Sequence, residues 1–322
     1  MAVVKATCYG HGLEVAELLF SFGLRDFGVS SVEEAYDLKK KGITGNIYIL
    51  GGFLPWEAEA IVEEDFIPVV SSLRDIECLE KASQRRGKRA PFHLKVDTGM
   101  GRLGFLCQDL NSEILDRVVQ NPFLKMKGVM THFGSAESSV EYTRWQFELF
   151  SQLLNRLHLH RKDLICHCCN SAGFLKFPEM HLDMSRIGIA LLGVSPNLEV
   201  ELVKSRGLKP VAQLKAMVKH VKNLPPGFKV GYGGTFVTSR DTRVAVVSIG
   251  YAQGIFRNLS NRMEVLVRRK RARVIGNISM DQLMIDVTGI PEVKEGDLVT
   301  LIGREGEEEI RVEDLARLSG TI

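Results

Sequence analysis

Short β-branched runs alternate with longer stretches whose apolar residues recur at helical spacing, and the alternation holds over roughly the first 200 residues. Residues 3–5 read as an apolar strand that brings Lys5 to a rim, and Gly10 and Gly12 suit a sharp turn after it. Helical spacing follows over residues 13–22. Residues 27–30 predict a second strand, and Ser31 with Glu34 forms a capping box that opens a helix running to about Lys41. Residues 47–50 and 68–71 predict the third and fourth strands, with Pro55 between them in a favoured first-turn position. Residues 92–96, 128–133, 165–169 and 184–189 complete a set of eight, and a long helix over residues 140–157 joins the sixth to the seventh. Such an alternation predicts an α/β barrel of the TIM-like (β/α)8 type, with its chemistry at the strand carboxyl ends.

The texture changes at residues 207–210. Strands are predicted at 211–221, 242–249, 264–267, 272–278, 284–287 and 298–302, separated by turns such as Pro225-Pro226-Gly227 and without comparable helices. The chain therefore divides into a barrel over residues 1–206 and a β-rich C-terminal domain over residues 207–322.

Composition adds an address rather than a function. The 322 residues are 45% hydrophobic and 25% charged, the balance of an ordinary globular protein with room for two cores. A formal charge of +3, with basic and acidic residues interspersed, implies neither a nucleic-acid nor a membrane surface. The basic runs 85–89 and 268–273 read as solvated turns. No apolar run is long enough to span a bilayer and no basic-then-apolar leader opens the sequence, so the expected location is the cytoplasm. The six cysteines form no spaced framework, which fits a reducing compartment. On a strand, Cys166 and Cys168 would face one way and His167 and Cys169 the other, so the run Cys166 to Cys169 cannot converge on a metal by itself.

Four stretches carry candidate chemistry. A lone lysine is usually a solvated charge, but Lys5 has apolar neighbours. Such surroundings lower its proton affinity and suit it to a Schiff base with an aldehyde. HLKVDTGMGRLGF, beginning at His93, holds Gly99, Gly101 and Gly104 in a spacing that is only a weak dinucleotide signal, since it sits on a fifth strand. Asn170-Ser171-Ala172-Gly173 reads as a plain helix cap or as an anion-binding turn, and Gly188 with Ile189 forms a second small-residue turn on the next strand, late in the barrel where phosphate is commonly bound. KVGYGGTF sets Tyr232 among glycines.

Together these stretches resemble the alanine racemase family. VVKATCYGHG is similar to its VVKANAYGHG, with Thr7 and Cys8 in place of Asn and Ala. KVDTGMGRLG, the string HxxNSAG, RxGIAL, YGGTF, GYAQG and SMDQ follow in family order across essentially the whole chain. The resemblance implies pyridoxal 5'-phosphate carried on Lys5, and a phosphate site of Tyr9, Ser171, Gly188 and Ile189. It implies Arg186 facing the pyridine nitrogen, with His132 and His167 in its network. Arg102 would meet the phenolic oxygen and the substrate carboxylate, and Lys95 would be the lysine that many members carbamylate, its plain reading being a barrel lysine with a counter-ion.

Lys5 and Tyr232 would be the two catalytic bases, the tyrosine coming from the second subunit of a homodimer with shared active sites. Tyr251 and Met280 would line the carboxylate pocket. Gln253 replaces a usual Asp and Ser279 a common Cys. The implied activity is racemisation of L- and D-alanine for peptidoglycan. The alternatives are a racemase for serine or another small amino acid, and a cofactor-binding fragment without activity. Members of the family have a further strand and helix before the lysine strand and further strands at the other end, so a partial sequence is expected.

Overall fold

Why the first lysine sits where it does is decided by how the barrel closes. The computed structural model describes residues 1–158 and 163–321. Two compact units divide it, Met1–Leu191 and Leu192–Ile322. In the first, eight strands run parallel: β1 (Ala2–Val3), β2 (Asp26–Val29), β3 (Asn46–Ile49), β4 (Ile67–Val70), β5 (Ala90–Asp97), β6 (Phe105–Leu106), β7 (Leu124–Met130) and β8 (Ile165–His167). They pair in the order β1-β2-β3-β4-β5-β7-β8, with β6 added beside β5. Helices Val32–Lys40 and Leu73–Arg86 begin where Ser31 and Ser72 accept the N–H of Glu34 and Asp75 through their hydroxyls. Fully buried side chains such as Phe27, Ile49, Phe92 and Leu94 fill the space between strands and helices, each contributing about 2 kcal/mol by leaving water.

Three expectations change. The strand expected over residues 184–189 is reduced to a single parallel bridge, Ile187 to Ala2, in which Val3 N–H donates to Ile187 O at 2.7 Å and Ile187 N–H to Met1 O at 3.0 Å. The segment is spent on both neighbours at once: Asp183 N–H donates to Cys166 O and Arg186 N–H to Cys169 O. It joins the two ends of the strand path and then turns into the 3-10 segment Ile189–Leu192. The seventh expected strand stops at His167 because the Arg186 guanidinium takes the Cys168 carbonyl at 2.8 Å. The side-to-side alternation expected of Cys168 and Cys169 fails with it, and both thiols lie against the Met180 carbonyl at 3.0 and 3.2 Å.

Residues 192–206, expected with the barrel, belong to the second unit. Val211 N–H donates to Leu192 O, and Ser195 N–H donates to the buried Glu313 carboxylate, which Arg311 also holds. The strands here are β9 (Leu214–Leu224), β10 (Lys229–Val230), β11 (Phe236–Val237), β12 (Thr242–Val247), β13 (Glu264–Val267), β14 (Lys270–Arg273), β15 (Leu283–Asp286), β16 (Leu298–Glu305) and β17 (Glu308–Ile310). They are antiparallel in the order β14-β13-β16-β9-β12-β15, with β10 and β11 as a separate hairpin and β17 beside β16. An antiparallel bridge from Val274 to Ile285 joins the two edges, so the sheet closes on itself. The basic run is a hairpin turn whose Arg268 pairs with Asp297 through two hydrogen bonds and whose Arg271 pairs with Glu308.

Candidate active site

Strand β1 ends at Val3, and Lys5 opens a left-handed turn. Ala6, Thr7, Cys8 and Tyr9 all have φ between 49° and 56° with ψ between 38° and 50°. Four successive residues with a Cβ in this conformation cost about 1 kcal/mol or more each. Hydrogen bonds hold the turn: Cys8 N–H to Val4 O, Gly12 N–H to Thr7 O, and the His11 Nδ1 against the carbonyls of Cys8 and Tyr9. The capping box is also rearranged. Ser31 accepts Glu34 N–H as expected, but the Glu34 carboxylate accepts from Ala6 N–H and Ser30 N–H, each at 2.7 Å, instead of turning back on Ser31. Lys5 itself is exposed, not enclosed by apolar neighbours; Val3 and Val4 before it are buried.

Arg186 is buried against the ends of β7 and β8. Its NH1 donates to His167 Nδ1 at 3.0 Å, and its NH2 group reaches Thr131 O at 2.9 Å, Cys168 O at 2.8 Å and His132 Nδ1 at 3.2 Å. Burial pushes this guanidinium down to about 10, still protonated at neutral pH. Because His167 Nδ1 accepts from it, the neutral ring carries its proton on Nε2, which lies 2.7 Å from His93 Nδ1. Burial first, and the Arg186 charge second, hold His167 and His132 well below the ordinary histidine value and bring His93 down to about 3. His167 and His132 are therefore neutral acceptors for one cation, and His93 is a neutral acceptor for His167. His93 was not singled out from the sequence, yet its spacing could have found it: on β5, His93, Lys95 and Asp97 alternate onto one face.

Lys95 is 4% exposed, and its Nζ makes a 3.4 Å contact with Leu50 O. Burial, then the Arg102 and Arg186 charges, lower this amine to about 8. Asp97 organises the glycine loop that follows. Its carboxylate accepts N–H bonds from Gly99, Met100, Gly101 and Arg102 at 2.8 to 3.1 Å. Burial works to raise this carboxyl, and the four donors outweigh it and hold it below its usual range. These N–H groups are consumed by the chain's own carboxylate and no helix opens at the glycines, so the loop is not a dinucleotide cradle. Tyr142 Oη donates to Gly99 O at 2.7 Å and ties the loop from outside.

Tyr9, Ser171 and Gly188 meet. A Cβ built on Gly188 would stand 2.1 Å from Tyr9 Oη, so only glycine permits this approach. Ser171 Oγ accepts from Gly188 N–H at 3.0 Å and Ala190 N–H at 3.3 Å, which leaves its own proton to donate. Ile189 opens the 3-10 segment beside them. Asn170 caps the short helix Ser171–Lys176 through Gly173 N–H, so the cap and the serine have separate tasks. Two hydroxyls converging on a tight backbone turn make a donor set suited to a phosphate group.

The remaining candidates lie in the second unit. Tyr232 is 71% exposed on the turn Tyr232–Gly234, where Gly231, Gly233 and Gly234 all have positive φ, and Asn277 Nδ2 donates to its carbonyl at 2.8 Å. It borders a groove of about 460 Å³ together with Lys222, Lys229, Ser279 and Gln282. Tyr251 N–H donates to Ser279 O and Ala252 N–H to Met280 O, which brings the Tyr251 and Met280 segments side by side. Gln253 closes its own turn on Gly250 N–H and donates to Asp281 at 3.1 Å.

Known proteins resemble both units. The family description "Alanine racemase, N-terminal domain" matches residues 1–196, and "Alanine racemase, C-terminal domain" matches residues 211–322. The alanine racemase of Methanococcus maripaludis is 40% identical, covering 100% of this chain and 87% of that protein. That of Halothermothrix orenii is 39% identical, with 100% and 85% covered. Among solved structures, alanine racemase from the D-cycloserine producer Streptomyces lavendulae superposes with a TM-score of 0.94 at 34% identity, covering 100% of this chain and 85% of that one. The Bartonella henselae alanine racemase, solved with covalently bound pyridoxal phosphate, gives a TM-score of 0.86 at 30% identity, with 100% and 87% covered. Over its whole length this chain belongs to the alanine racemase family, isomerases that act on an amino acid.

Proposed function

We propose that the chain interconverts L- and D-alanine by a two-base mechanism, as a homodimer with shared sites, using pyridoxal 5'-phosphate carried on Lys5. The observation that best supports this is the grip on Arg186, a buried cation surrounded by neutral imidazoles and carbonyls and aimed by them at the barrel end. When bound, the cofactor supplies an aldehyde for the amine and an electron-poor ring that acidifies the substrate Cα–H. Tyr9, Ser171, Gly188 and Ile189 would hold its phosphate. Arg186 would face the ring nitrogen and, keeping its own proton, would restrain electron withdrawal and so suppress side reactions.

Arg102 would hold the phenolic oxygen and the substrate carboxylate. Lys95, with its amine lowered to about 8, has a substantial neutral fraction at physiological pH. That form adds to carbon dioxide, forming an N–C bond and releasing a proton, and the resulting carbamate anion steadies Arg102. Lys5 moves the α-proton on the D-alanine face. Tyr232 of the second copy moves it on the L-alanine face, and Tyr251 and Met280 of that copy line the carboxylate pocket. One base cannot serve both faces, because proton removal and return occur on opposite sides of the carbon. In this reading the enzyme is cytoplasmic and supplies D-alanine for peptidoglycan.

Solvent-deuterium exchange tests the assignment. Lys5→Ala should abolish racemisation and α-hydrogen exchange of both enantiomers. Tyr232→Phe should lower racemisation by roughly a hundredfold or more while D-alanine still exchanges its α-hydrogen. Full exchange of L-alanine in Tyr232→Phe would remove the tyrosine from the mechanism.

A further inference from the structure

The geometry points to Glu34 as the positioning residue that sets the direction of Lys5, an inference that rests on the reading of Lys5 as the cofactor-bearing lysine. Two peptide units flank the Lys5 Cα, and each has to be fixed if the side chain is to leave the rim at a defined angle. The preceding one, Val4 to Lys5, has its carbonyl taken by Cys8 N–H at 2.9 Å, and the residue before Lys5 is fixed to the barrel where Val4 N–H bonds Gly28 O at 2.8 Å. The following one, Lys5 to Ala6, bonds nothing on its own strand, because the chain has already entered the left-handed turn. Its N–H donates to Glu34 Oε1 at 2.7 Å. The other carboxylate oxygen, Oε2, accepts Ser30 N–H at 2.7 Å, immediately past the end of β2. One carboxylate thus ties the turn after Lys5 to the end of the neighbouring strand.

The helix that carries Glu34 begins at Val32 and is capped by Ser31, so the clamp is mounted on a rigid element. A charged acceptor is the right device here. Each N–H to carboxylate bond is shorter and stronger than a neutral one, and the turn it holds is conformationally costly. Nothing in Ala6, Thr7, Cys8 or Tyr9 favours left-handed backbone by itself, as glycine would. Without Glu34 only the turn's internal hydrogen bonds oppose relaxation of the peptide after Lys5 toward extended backbone, and the lysine would swing more widely. A neutral amide at this position accepts through one oxygen only and turns its NH2 toward the other N–H, so one of the two ties is lost.

The test uses the full chain with Glu34→Gln, Glu34→Asp and Lys5→Ala. Four properties are measured: amide hydrogen exchange over residues 5–10 without cofactor, the rate at which added pyridoxal phosphate becomes attached to Lys5, kcat and KM for alanine, and the thermal midpoint. Attachment is followed by visible absorbance and by borohydride trapping with mass spectrometry. In Glu34→Gln, exchange over residues 5–10 should accelerate, and attachment and kcat should each fall by about tenfold to a hundredfold with KM little changed. The midpoint should stay within about 4 °C of the parent. Glu34→Asp, which keeps the charge on a shorter stem, should recover part of the loss.

Parental exchange and attachment in Glu34→Gln would overturn the proposal. So would losses that merely follow a lowered midpoint. Lys5→Ala separates the two claims: trapped cofactor at a residue other than Lys5 would end the Lys5 reading, whereas the exchange data still decide whether Glu34 clamps the turn.

Discussion

The turns that present Lys5 and Tyr232 need the same left-handed backbone and obtain it in opposite ways. Around Tyr232 the positive φ angles fall on Gly231, Gly233 and Gly234, where they cost almost nothing, and one amide from Asn277 fastens the turn. Around Lys5 they fall on alanine, threonine, cysteine and tyrosine, and a set of hydrogen bonds from Glu34, His11 and the backbone offsets the strain. Glycine gives a turn that is cheap to form and equally cheap to leave. Strained residues under a clamp give one that has no nearby alternative, which suits the cofactor-bearing role proposed for Lys5. The contrast extends to the surroundings: the barrel unit buries His93, His167 and Arg186, whereas Tyr232 stands exposed.

The strongest way to separate the two regions is acid. Three barrel histidines bind protons more weakly in the folded chain than in the unfolded one, so their contribution is complete above about pH 6.5 and is lost as the pH falls below it, for His93 toward about 3. Urea unfolding should show the barrel losing up to about 4 kcal/mol per pH unit below 6.5, with the second unit, whose His220 is exposed, following only later. Equal acid sensitivity of the two units would break the contrast. Next in size is Gly188→Ala, which drives a methyl group into Tyr9 Oη and should cost about 1 to 3 kcal/mol together with at least tenfold in pyridoxal phosphate affinity, read by equilibrium titration.

Smaller effects probe the turns directly. Gly233→Ala should destabilise the second unit by about 1 kcal/mol, since its Cβ has room and meets only the φ of 73°. Thr7→Gly should be neutral or stabilising by up to about 1 kcal/mol, because relief of strain is opposed by the entropy glycine brings to the unfolded chain. Both are checked by denaturant midpoints, and a loss of similar size in both would mean that the Lys5 turn is not strained. The smallest change is Asn277→Ala, with under about 1 kcal/mol of stability at stake but faster amide exchange around Tyr232.

Periodicity in the sequence predicted the barrel and the switch to antiparallel strands, because burial imposes those patterns on long segments. Small-residue turns led to Ser171 and Gly188, and the resemblance to alanine racemase motifs led to Arg186 and Tyr232. The left-handed turn was illegible, since residues 6–9 contain none of the glycine or asparagine that usually announces one, and one of the groups that tie it is a carboxylate contributed by a different helix. The shortened last strand was hidden for a similar reason: whether Cys168 O pairs with a neighbouring strand or with a guanidinium cannot be read from local pattern. The division after Leu191 depends on Ser195 meeting Glu313, far along the chain. His93 differs from these. The alternation that buried Lys95 also carried it, and a tally of polar residues on the inner face of β5 would have included it.

The joint between Ile187 and Ala2 rests on a single bridge, against two residue pairs between β1 and β2 and seven residues of β7 beside β5. Tyr9 stands on one side of that joint, and Ser171 and Gly188 on the other. In the proposed function a phosphate bridging all three would act as a rivet across this joint, so its grip would also contribute to the barrel's cohesion. The protein without cofactor should then breathe chiefly along this line, and each bound phosphate should close it in proportion to its affinity.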